Sequence, residues 1–191
     1  DDEGEDGNEF DIYFSDLGIY YGLTTSEFIT DGRTAYLEIE NDFTGGFFTD
    51  DIEAVQVTVA HEYFHAVQFA YGFRQNDLFF YEMSSVWFED DMYPEINDYL
   101  QYMPTFFRTL DIPFHVQNGW HEYGNSLFLK YWLDDQEIDS LVRMWDAVRL
   151  DVAINAIIAE VENSGIPFAD ALAEYYAWCL FTGPRAQPGS F

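Results

Sequence analysis

One pentapeptide, His61-Glu62-Tyr63-Phe64-His65, limits what this chain can be more than any other stretch. It sits inside the largely apolar run Val57-Thr-Val-Ala-His-Glu-Tyr-Phe-His-Ala-Val-Gln-Phe-Ala-Tyr71, which is long enough for a buried helix. Residues four apart on a helix share a face one turn above each other, so both imidazoles reach a single metal ion. Glu62, beside the first histidine, is placed to take a proton from a water at that metal without being a ligand itself. The alternative is an accidental pairing; against it, two of the chain's four histidines stand in this pentapeptide.

A catalytic zinc takes three protein ligands and keeps a fourth position open. His61 and His65 supply two, so a third is expected downstream on a neighbouring helix. Glu82 follows His65 by 17 positions, enough for the first helix to end, turn and return antiparallel past the metal. Its flanks, Phe79-Phe80-Tyr81 and Met83, argue against a solvated glutamate. Glu89 lies two turns further along the same face. There it is either an acceptor for the far nitrogen of His61 or His65 or a plain surface charge.

Residues 1–9 form an acidic, Gly-containing linker or disordered arm, and a strand covers Glu9 to Leu17. Gly18 to Arg33 reads as loop with a turn at Asp31-Gly32, and Thr34 to Glu40 as a second strand. Asp50-Asp-Ile-Glu53 has the form of a capping box opening helix one, which Gly72 ends. Helix two covers Leu78 to Asp90, and a third helical stretch opens at Pro94 and breaks at Pro104. A loop-rich passage from Phe106 to Trp120 holds His115. Further helices are expected over Tyr123–Leu133, Glu137–Leu150, Val152–Val161 and Phe168–Phe181, with Asp134 to Glu137 capping the second of these. The domain is expected to span 10–183, with 184–191 a linker or the start of a following region.

The balance of 36 Asp+Glu against 7 Lys+Arg gives a net charge of −29. Such a surface repels phosphate backbones, so nucleic acid is not an expected partner. The acidity suits a saline habitat, calcium sites or a solubility device for an aromatic-rich exported protein. A single cysteine, Cys179, excludes a disulfide within the chain. No apolar run is long enough for a membrane span, and the acidic start is no signal peptide. The expectation is a secreted protein whose leader lies outside this sequence.

His61-Glu62-x-x-His65 followed by Glu82 resembles the gluzincin metallopeptidases, in which two helices place His, His and Glu on one zinc. Ala60-His-Glu-Tyr-Phe-His-Ala-Val-Gln68, Trp87-Phe-Glu-Asp90, Tyr123-Gly124 and Thr182-Gly183 look like segments of bacterial exported proteins of this clan, so the resemblance covers most of residues 10–191. Two departures stand out: Met83 follows the glutamate where many relatives have a small residue. Val86 occupies the position four after it, an aspartate in thermolysin-like enzymes. The resemblance also implies a tyrosine or histidine from a later segment that steadies the oxyanion. Tyr123, opening the Tyr-Gly helix, is the better match, with His121 and His115 as other options.

Together these readings imply an α+β, zincin-like fold. A small N-terminal β-sheet packs on the HExxH helix, and a mainly α-helical subdomain follows. The implied chemistry is hydrolysis of a peptide bond in a peptide or protein substrate, with one Zn2+ per chain on His61, His65 and Glu82. Glu62 is the general base and Tyr123 the oxyanion donor. Two other readings stay open. One is a catalytically silent zincin-like binding or adhesion module of a larger exported protein. The other is a structural domain holding Ca2+, although the spaced EF-hand loop is absent from the sequence.

Overall fold

A computed structural model of the chain describes residues 10–29, 32–136 and 138–181. The arm expected at 1–9, Asp31 of the expected turn, Glu137 of the expected cap and everything from Thr182 onward lie outside them. The chain packs as two compact units, one ending at Ser126 and the other beginning at Leu127.

The first unit is built on three strands, β1 (Ile12–Ser15), β2 (Gly22–Ile29) and β3 (Gly32–Glu40). Their order is β1-β3-β2: β1 runs parallel to β3, and β2 antiparallel to it with Thr24 opposite Leu37. Alternation along β3 buries Leu37 and Ile39 completely, and they meet Phe43 and Ala54 in the core beneath the sheet. β2 corrects the sequence reading of a loop over 18–33. Leu23-Thr24-Thr25-Ser26 lacks an apolar alternation, but threonine is β-branched and fits a strand whose neighbours supply the packing.

Beneath the sheet runs α1 (Asp51–Phe69), which touches β2, β3 and the next helix, α2 (Leu78–Met92). The expected capping box does not close. Asp50 makes no side-chain cap bond, and Asp51 takes a left-handed φ of 49° that turns the chain just where the cap would face the first amides. At the other end Gly72, at φ 130°, follows the last turn and donates to the Phe69 carbonyl at 3.2 Å. α2 is buried on nearly every side, with Phe79, Phe80, Tyr81, Met83, Ser84, Ser85, Val86, Trp87 and Glu89 all inside.

The third helix expected from Pro94 to Met103 is replaced by a 3-10 turn at Asp98–Gln101 and the short α3 (Met103–Phe106). Pro104 therefore sits in the first turn of a helix, where its missing N–H costs nothing, and does not break one. α4 (His121–Gly124) closes the unit. Gly124 is required there, since a Cβ would stand 2.5 Å from the Phe106 ring.

The second unit is helical, with α5 (Ser126–Asp135), α6 (Asp139–Val148), α7 (Ala153–Asn163) and α8 (Phe168–Cys179). Phe128, Met144, Ile157 and Tyr175 are fully buried in it. A buried polar knot joins Ser140, which donates to Glu160 at 2.8 Å, to Trp132 and Arg143. The architecture is α+β, a small three-stranded sheet with a mainly helical remainder. Among the described residues no helix is long and apolar enough to cross a membrane.

Candidate functional site

The site lies in the first unit, where α1 and α2 pass each other under β2. Helical spacing sets His61 and His65 on one face of α1, with ring centres 4.7 Å apart. Glu82, from the second turn of α2, reaches between them. Its Oε2 is 3.1 Å from His61 Nε2 and 3.6 Å from His65 Nε2. The ligand-capable atoms of the three residues all lie within 4.8 Å of one another. Ligands at about 2.0–2.1 Å from a tetrahedral zinc stand roughly 3.3 Å apart, so this spacing can hold such an ion.

The far nitrogens decide how the rings are presented. His65 Nδ1 is 2.7 Å from Gln68 Oε1. The Gln68 amide orientation is fixed from behind, because its Nε2 donates to the Tyr81 carbonyl at 3.0 Å and also faces the Ser84 and Ser85 hydroxyls. Gln68 is thus an acceptor toward His65, and the imidazole donates from Nδ1. On the other ring, Glu89 Oε1 hydrogen-bonds His61 Nδ1, which resolves the two sequence readings of Glu89 in favour of the buried acceptor. With both Nδ1 positions so engaged, neutral rings turn Nε2 lone pairs toward a carboxylate oxygen. Three acceptors this close need a shared proton or a cation among them.

In the absence of an ion, protons serve. Burial pushes the His61 pKa down, but Glu82, Glu89 and Glu62 outweigh it and hold the ring protonated well above the ordinary histidine range. Burial also opposes ionisation of Glu82, yet the charge of His65 and hydrogen bonds from both rings keep its carboxyl well below its usual value. Burial raises Glu89 to about 7, with the His61 hydrogen bond pulling the other way.

Glu62 is buried beside the first ring and is held from above by β2. Thr24 Oγ1 lies 2.6 Å from Glu62 Oε2 and 2.8 Å from the Glu62 carbonyl. Gly22, on the same strand face, admits this approach: a Cβ there would stand 2.7 Å from both Glu62 Cγ and Thr58 Cγ2. Tyr123 stacks on His61 with ring centres 6.3 Å apart and is backed by Tyr102 at 4.8 Å. Burial, then the nearby Glu82, raises its phenol, so it stays a proton donor. His115 is exposed against Phe79, and His121 is buried against Phe106; of the three residues considered for the oxyanion, Tyr123 is the one that lines both of the hollows described below.

Two hollows open on either flank and share Tyr20, Gly22, His61, Glu62 and Tyr123. One, of about 270 Å³, runs past Glu89, Asp98, Gln101 and Tyr102. The other, of about 410 Å³, runs past His65, Glu82, Leu23, Phe69, Phe73 and Leu78. Sequence reasoning missed Gly22 and Thr24, because β2 was read as loop. It also missed Gln68, although its place one turn after His65 was a readable signal.

A protein-family model described as a family of unknown function (DUF6055) matches residues 35–160, a span that includes α1, α2 and Tyr123 and leaves β1 and β2 outside. Neither the curated proteins nor the solved structures yield a match to the chain.

Proposed function

The chain belongs to this family of unknown function, and we propose that it is a zinc-dependent peptide hydrolase of gluzincin type on a zincin-like fold, acting outside the cell. One observation carries the reading. His61 Nε2, His65 Nε2 and Glu82 Oε2 converge while the far side of each ring is occupied by an acceptor, an arrangement that prepares lone pairs for one cation.

His61, His65 and Glu82 would hold the zinc, which when bound supplies Lewis acidity toward a carbonyl oxygen and makes water easier to deprotonate. Glu62 takes the proton from the attacking water and delivers it to the leaving amine, so the water's O–C bond forms as the C–N bond breaks. Thr24 fixes the Glu62 carboxylate for this exchange. Tyr123, held against His61, keeps its proton and offers the phenolic O–H as a hydrogen bond to the oxygen that gains charge. The hollows on both flanks leave room for chain on either side of the scissile bond.

The test is Glu62→Gln. Zinc content should match the parent while cleavage of a mixed peptide pool falls by three or more orders of magnitude. Undiminished cleavage in that variant would remove the mechanism. Zinc bound by the parent with no cleavage of any peptide would favour a catalytically silent binding module.

A further inference from the structure

The smaller hollow gathers buried negative charge that no lysine or arginine among the described residues balances. Asp98, Glu89 and Glu62 line it and are only 6%, 5% and 7% exposed. Asp98 and Glu62 each act on Glu89 as a like charge. Asp98 is held by neutral donors, Thr49 Oγ1 at 2.8 Å and the Gln101 amide. Glu89 gives Oε1 to His61, and its second oxygen accepts from no described residue. Thr58, on α1 beneath Gly22, belongs to the same lining and keeps a buried hydroxyl with no hydrogen-bond partner among the described residues. Aromatic rings frame the mouth. Tyr102 stacks on Tyr123 at 4.8 Å and meets Trp120 edge-on at 6.3 Å, while Trp120 and Tyr20 stay about half exposed.

Resting on the peptidase reading, we propose that this hollow binds one organic cation of the substrate beside the scissile bond, a guanidinium or ammonium group set against Asp98 and Glu89 with its apolar stem along Tyr20 and Trp120. Buried carboxylates are costly without a partner, and a cation with several N–H donors supplies both the charge and the hydrogen bonds. The rings at the mouth add their faces, which attract cations, and their apolar surface, which covers a side-chain stem. A bare metal ion fits less well. Among the described residues His61, His65 and Glu82 form the one group of three whose ligand atoms come within 4.8 Å of one another, so Asp98, Glu89 and Glu62 are spread too widely to share an ion. A planar or tetrahedral donor group on a stem suits that spread, and about 270 Å³ is room for one such side chain. His61 and Glu62 belong to the same lining, so the cation sits next to the reacting atoms. Its source is therefore a basic side chain flanking the cut or the free amino end of the chain being cut.

The zinc-loaded full chain is given two peptide series at roughly 0.15 M salt, where surface charge is screened beyond about 8 Å. In the first, both ends are blocked and each position around the cut carries Arg, Lys, Gln or norleucine. In the second, a neutral peptide has its amino end free or acetylated. A cationic group should raise kcat/KM by tenfold or more over its neutral counterpart, at one side-chain position in the first series or through the free amine in the second; the series that responds names the source. Asp98→Asn keeps an oxygen for Thr49 and removes the charge. It should abolish that preference and leave neutral peptides cleaved as before, with zinc content unchanged. Trp120→Leu, at the mouth, should reduce the preference two- to fivefold. No preference in either series, or one untouched by both substitutions, overturns the pocket. Binding is read independently of cleavage by ligand-observed NMR titration with butylguanidinium and its neutral counterpart butylurea. If no peptide is cleaved but butylguanidinium binds at least tenfold more tightly than butylurea, and Asp98→Asn removes the difference, the hydrolase reading fails and the pocket stands. Equal binding of the two overturns the pocket.

Discussion

Thr24 Oγ1 stands 2.6 Å from Glu62 Oε2, so a residue of the sheet's edge strand holds the carboxylate that the histidine helix presents. A hydrogen bond to a buried carboxylate contributes about 1.5 kcal/mol, roughly a tenfold effect on a step that depends on its orientation. Thr24→Val is expected to lower kcat by about that factor with zinc content unchanged, and Thr24→Ser to restore most of it. Steady-state kinetics on the same peptide, with metal analysis of each variant, checks this; an unchanged kcat in Thr24→Val would deny the strand its role.

Gln68 is the rear support of His65 and is itself buried against Tyr81, Ser84 and Ser85. Removing an outer partner of a metal-binding histidine usually costs 10- to 100-fold in affinity. Gln68→Ala is expected to weaken zinc binding by about that much. A chelator competition titration reads the change, and an affinity equal to the parent's would show that the ring needs no such support.

The His61–Glu89 pair keeps protons in the folded, metal-free protein that the unfolded chain gives up. Glu89 is raised from 4.5 to about 7, and His61 lies well above 6.5. For both groups the folded pKa exceeds the unfolded one. The stability they confer is complete below the unfolded values and fades as pH rises through the folded ones. Metal-free protein should therefore lose thermal stability as pH rises from about 5 through about 7, and Glu89→Gln should flatten that decline. Zinc displaces the His61 proton, so its affinity should rise over the same interval. Melting curves with and without zinc across this range provide the check; a metal-free protein that becomes more stable with rising pH would contradict it.

Much of the site could be read from the sequence because it depends on helical periodicity. His61 and His65 are one turn apart, and Glu82 and Glu89 two turns apart, so their placement follows once two antiparallel helices are assumed. Contacts that depend on strand register could not be read in that way. Thr24 meets Glu62 across 38 positions, and nothing local in Gly22-Leu-Thr-Thr-Ser26 announces a strand, since its apolar partners are supplied by β3 and α1. The short α3 was hidden for a related reason: Pro104 reads as a breaker unless the helix is known to begin beside it. The α+β class itself was visible in the change from apolar-polar alternation before residue 40 to long, largely apolar helix-length runs after residue 50.

The most direct trial of the central claim is a count of zinc in the purified full chain, by mass spectrometry under native conditions, beside His65→Ala and Glu82→Ala. The account predicts one zinc per parent chain, with both variants losing most of it while remaining folded by circular dichroism. A parent that takes up no zinc, or variants that bind it as tightly as the parent, would contradict it.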